Sequence, residues 1–96
     1  MKALYPVRIY YDESDRVYYA DVRDFGLEGE KLTYGAEYIT AYENVEDALN
    51  LLVMNYESEH DGQSVPVSSM ELKSGETYIH VDTEGYKRRL LLEKTS

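Results

Sequence analysis

Across residues 35–56, "GAEYITAYENVEDALNLLVMNY", the apolar side chains recur at steps of three and four. Tyr38, Tyr42, Val45, Leu49, Leu52 and Tyr56 form one stripe, and Ile39, Ala41, Ala48 and Val53 widen it. That period predicts an amphipathic α-helix of about five turns. Glu43, Glu46, Asp47 and Asn50 fall on its polar side. A helix of this kind has to bury its stripe against another layer. The remaining apolar residues follow a different period.

They alternate. In "LYPVRIYYDES", residues 4–14, Tyr5, Val7, Ile9 and Tyr11 share one side of a strand, opposite Pro6, Arg8 and Tyr10. Pro6 has no N–H to give to a ladder and belongs at a strand start or an edge. "DESD" supplies turn residues, and "RVYYADV", residues 16–22, completes a hairpin. Tyr18, Ala20 and Val22 make its uncharged, core-facing side. "RDFGLEGEK" is a loop, and "KLTY" a short third strand before Gly35. After the helix, "ESEHDGQSVPVSSM" is rich in turn formers, and "ETYIHVD", residues 76–82, alternates as a fourth strand. The end, "TEGYKRRLLLEKTS", has a turn at Gly85 and then a basic-apolar segment that fits either a strand or a helix. The order β-β-β-α-β gives an α+β fold: a two-layer arrangement with one long helix packed on one face of a sheet. A chain of 96 residues buries only somewhat over ~60% of its unfolded surface, enough for a single domain.

Charge narrows the partners. Ten Lys and Arg against nineteen Asp and Glu give a net charge of −9, which opposes binding to nucleic acid phosphates and favours a basic protein partner. No Lys or Arg lies between Leu32 and Leu72, whereas Lys87, Arg88 and Arg89 are consecutive. No apolar run approaches the roughly 20 residues of a membrane span, and the N-terminus lacks a signal peptide's apolar region. With no cysteine, a reducing, cytoplasmic setting is expected.

Nothing in the chain has the spacing of an active site. There is no cysteine nucleophile and no phosphate-binding glycine loop, and no nucleophile–base pair is visible around His60 or His80. His60, beside Glu59 and Asp61, lacks the ligand spacing of a zinc site, and His80 fits a half-buried strand position. No enzyme activity, cofactor or metal is expected. The chain has eleven tyrosines. Tyr10, Tyr19 and Tyr78 fall on the sheet face away from the helix, where an apolar ring with a polar tip suits an oligomer interface.

Four stretches in order resemble the HicB-like antitoxin domain of type II toxin–antitoxin modules. "LYPVRIYYDESDRVYYADVRDF" is similar to that family's opening hairpin. Gly35 with "TAYENVEDALNLL" resembles its glycine and Ala–x–x–Asn–x–x–x–Ala–Leu helix, with Ala41, Asn44, Ala48 and Leu49 on those positions. "DGQSVPVSS" resembles its Asp-Gly-x-x-(Ile/Val)-Pro-x-Pro-Ser loop, and "IHVDTEGY" its closing strand. The family's Pro-Asp-(Leu)-Pro-Gly-Cys loop is here "RDFGLEGE", which keeps Asp24 alone of its functional groups.

The resemblance implies a HicB-like domain over residues 1–86, a partial double-stranded-RNA-binding-like fold. Residues 87–96 form a short basic-apolar segment, too few for the family's separate DNA-binding domain, so direct DNA binding is not expected. It also implies a prokaryotic antitoxin that binds a HicA-type toxin, a small basic mRNA-cleaving protein, and masks its active site. Asp12, Glu13, Asp15, Asp24 and Glu28, with Glu43, Glu46 and Asp47, are the carboxylates expected to meet that toxin. The competing expectation is a HicB-like homodimer or homotetramer with a structural or regulatory role and no toxin.

Overall fold

The computed structural model describes residues 1–60 and 65–95. Strands β1 (Lys2–Asp12) and β2 (Val17–Asp21) form the first hairpin; β3 (Thr33–Gly35), α1 (Tyr38–His60), β4 (Glu76–Asp82) and α2 (Thr83–Thr95) follow. The four strands pair antiparallel in the order β3-β2-β1-β4, with α1 across one face. The two-layer α+β architecture expected from the periodicities is the one observed.

Each layer follows from its pattern. The hairpin turns where Asp12 accepts the Arg16 N–H on its carbonyl (2.7 Å) and the Asp15 N–H on Oδ1 (2.8 Å). Tyr5, Val7 and Ile9 of β1, Ala20 of β2, Val22 just after it, and Ile79 and Val81 of β4 are buried against Ala41, Val45, Leu49 and Val53 of α1. Each of the larger side chains contributes about 1.5–3 kcal/mol by leaving water. Pro6 lies inside β1, at a level where β1 pairs with β4 alone. Its missing N–H therefore costs no ladder bond on the vacant side. That side is crossed by the segment after α1: the Ser68 hydroxyl donates to the Leu4 carbonyl (2.5 Å), and the Tyr5 hydroxyl donates to that of Pro66 (2.6 Å).

Gly35 ends β3 directly under the start of α1. A Cβ there would collide with the Ala41 backbone nitrogen and stand 2.8 Å from the Thr40 carbonyl carbon. Gly35 is thus a close-approach glycine.

Several expectations need correction. The helix is longer than five turns, with 23 residues. Ile39 does not widen the core stripe and is 56% exposed, because it shares the outward i+4 row with Glu43. Asn50 is not on the solvated side: it is only 3% exposed. Its Oδ1 accepts the Asp82 N–H (3.0 Å), and its Nδ2 donates to the carbonyls of Glu46 (2.8 Å) and His80 (3.4 Å). On the opposite margin, Asn44 Nδ2 donates to the Tyr34 carbonyl of β3 (2.8 Å). At 100° per residue, Asn44 and Asn50 stand roughly 120° to either side of the buried stripe, so one helix fastens both edge strands.

The chain does not turn at Gly85. It turns three residues earlier, at Asp82, whose Oδ1 accepts the Gly85 N–H (3.1 Å) and so caps α2. That bond is the main reason the Asp82 carboxyl titrates below its ordinary value. The open alternative for the C-terminal segment is resolved as helix.

Candidate functional site

The expected partner-binding carboxylates divide by what already holds them. In the hairpin turn, Asp12 is tied to the Asp15 amide, and the Asp15 carboxylate accepts the Tyr19 hydroxyl. Chiefly through that bond, the Tyr19 phenol is pushed up to about 12. Asp24 lies in the short 3-10 turn Arg23–Phe25 and is committed inward, to the Ser69 N–H (2.8 Å) and the Arg23 guanidinium (3.3 Å). Asp47 pairs with Arg89 of α2 at 2.7 Å, with both side chains about half exposed. Among the described residues, Glu13, Glu28, Glu43 and Glu46 make no ion pair.

The outward side of α1 is the more concentrated surface. Glu43, Glu46 and Asp47 project from it, flanked by Ile39 and by Leu51, which is 46% exposed. The helix holds no Lys or Arg. Two exposed apolar side chains about three turns apart, with carboxylates between them, make a charged strip with apolar ends, a composition that suits a protein partner. Leu51 escaped sequence reasoning because one exposed leucine beside a buried Leu49 and a half-buried Leu52 leaves no periodic trace.

The opposite face of the molecule differs in kind. Tyr10 of β1, Tyr19 of β2 and Tyr34 of β3 run across the strands, with ring centroids 6.1 and 6.2 Å apart. Lys31 Nζ stands 4.3 Å over the Tyr19 ring and the Arg8 guanidinium 4.3 Å over that of Tyr10. Tyr78 is on the same face but lies level with Pro6, and its hydroxyl donates to the Met70 carbonyl (2.8 Å). Tyr34 takes the third place in the row. Only the β2–β3 register, Tyr19 against Tyr34, identifies it.

An ion row crosses the sheet next to the tyrosines. Asp21, 2% exposed, accepts Arg8 Nη2 (2.6 Å) and the Gly29 N–H (2.9 Å). Glu76, level with Arg8, accepts Arg23 Nε (2.9 Å). Burial opposes the Glu76 charge, but Arg23 and the Lys73 N–H outweigh it and hold the carboxyl below its ordinary 4.5.

His80 is exposed rather than half-buried, beside an open pocket that also borders Glu46, Asp82, Tyr86 and Arg89. His60 ends α1, and residues 61–64 of the "DGQS" stretch lie outside the described residues. Among the described residues, no group of three or more His, Cys, Asp or Glu is placed to hold a metal ion, and no helix is long and apolar enough to cross a membrane.

These features define a class: a two-layer α+β domain with a carboxylate-rich helix on one face and a tyrosine row on the other. No family model, curated protein or solved structure matches the chain.

Proposed function

We propose that this chain is an antitoxin-type protein that works in the cytoplasm by binding a basic toxin of the HicA type and covering its RNA-cleaving site. The observation that carries the proposal is the outward side of α1: Glu43 and Glu46, with Asp47 already paired to Arg89 of α2, between exposed Ile39 and Leu51 on a helix without Lys or Arg. A protein that competes with RNA for a cationic site gains from carboxylates and loses from lysines. The charged rim steers encounter, while Ile39 and Leu51 provide the dry contact that slows release. Glu13 of the hairpin turn and Glu28 of the following loop extend the acidic field; Asp24, turned inward, acts by fixing that loop.

Co-expression with a short basic toxin encoded beside the gene is the first test, scored by growth rescue and co-purification. Glu43→Lys with Glu46→Lys lowers the association rate at low salt by about tenfold or more. Leu51→Asp raises the dissociation rate. An association rate indifferent to both ionic strength and the lysine variants defeats the proposal.

A further inference from the structure

We infer that the outer face of the sheet is a self-association surface, and that its occupant is a second copy of this chain packed face to face about a two-fold axis along the tyrosine row. The surface is distinct from the α1 patch and does not depend on a toxin.

Charge selects the occupant. The protein carries −9 overall, and α1 concentrates acid without any base. Around the tyrosine row the signs nearly balance: Arg8, Arg23, Lys31 and Lys73 stand with Asp12, Asp15, Asp21, Glu28 and Glu76. A basic partner is drawn to α1 instead, and a nucleic acid is repelled by the molecule as a whole. Two copies meet at this face without the mutual repulsion that joining two α1 faces would cost.

The arrangement is also self-complementary. Arg8, Tyr10 and Asp12 leave β1 on the same face at two-residue steps, the cation on one side of the row and the carboxylate on the other. The same order holds over β2 and β3, with Lys31 on the Arg8 side and Asp15 in the hairpin turn on the Asp12 side. A two-fold axis along the row sets each tyrosine against its counterpart. It places Arg8 over the partner's Asp12, and Lys31 over the partner's Asp15. Lys31 makes no ion pair among the described residues, and Tyr34 is 61% exposed. Strands related this way stay aligned, as in sheet-on-sheet packing.

The molecule is a slab with extents of 38 × 34 × 19 Å. An ellipse on the two long axes, on the order of 1,000 Å², is the ceiling for one face, and residues 70–75 cover part of it beside Tyr78 and Arg8, so the interface falls at or below the roughly 800 Å² per partner of a standard one.

Sedimentation velocity of the purified chain, over a wide concentration range, is the test. A concentration-dependent dimer is expected. Tyr34→Ser, at an exposed ring, shifts it toward monomer with the circular dichroism unchanged. Lys31→Glu and Asp15→Lys each break both symmetry-related pairs and weaken it by about a hundredfold, tenfold for each pair. The double variant Lys31→Glu/Asp15→Lys recovers most of that loss, since each new charge meets its opposite on the partner; a merely misfolded variant would not recover. A monomer at every concentration, a dimer indifferent to Tyr34→Ser, or a double variant no better than the singles overturns the inference.

Discussion

Replacing Asn50 with alanine isolates what a single buried amide contributes. The side chain makes two well-formed hydrogen bonds, to the Asp82 N–H (3.0 Å) and the Glu46 carbonyl (2.8 Å), and a longer one to the His80 carbonyl (3.4 Å). Each good bond is worth about 1 kcal/mol net, and the Asp82 amide would be left on an edge strand without its acceptor. An open pocket beside Asn50 admits water, which keeps that penalty small. The expected loss is about 2 kcal/mol, offset by roughly 0.5 kcal/mol because alanine is the better helix former. Asn44→Ala supplies the control, since it gains the same propensity and loses one exposed bond to Tyr34 (2.8 Å). Its net change should be near zero. A domain of this size moves its melting midpoint by about 4–8 °C per kcal/mol. Asn50→Ala should therefore melt roughly 6–12 °C below the parent and Asn44→Ala within a few degrees of it. Both are followed by circular dichroism at matched concentration. Equal midpoints for the two variants would refute the account of Asn50.

Three further outcomes follow from the ion row and the turn. Asp21→Ala leaves the Gly29 amide and the part-exposed Arg8 guanidinium without their acceptor, and should cost about 2 kcal/mol in urea denaturation; a loss no larger than that of an exposed pair would contradict the burial of Asp21. Glu76 has a depressed folded-state value, so its stabilising effect is complete above the ordinary 4.5 and disappears as pH falls through the lowered one. Glu76→Gln should trail the parent near neutrality and converge with it in acid, and a gap that persists at low pH would exclude that linkage. In an absorbance titration Tyr19 should ionise at about 12, and Asp15→Asn should bring it down toward the ordinary 10.0; no movement would mean Asp15 does not hold the hydroxyl.

Periodicity made the layers legible. The alternation in β1, β2 and β4 and the three-four spacing of α1 are properties of many residues at once, so no single substitution hides them. What the sequence concealed depends on single residues. Asn50 looks like any polar helix residue until the edge of β4 arrives beside it. α2 carries no useful apolar stripe; what marks it are the Asp82 cap at its start and the surface pair of Arg89 with Asp47. The acidic character of α1 was plain in the composition. Which carboxylates are engaged, Asp24 inward and Asp47 with Arg89, required coordinates. Parity alone puts Tyr10 and Tyr19 on the outer face, while Tyr34 takes the register of a three-residue strand to place.

The two attachments of α1, the close contact at Gly35 on one flank and Asn50 on the other, have a consequence for how the molecule comes apart. Because one helix is fastened to both flanks of the sheet, it cannot lift away locally while the flanks stay intact. Loosening of α1, loss of the Tyr34 flank and loss of the Asp82 flank are one opening rather than three, and amides on all of them should exchange with solvent at a common free energy. A partner that grips α1 therefore braces the entire sheet.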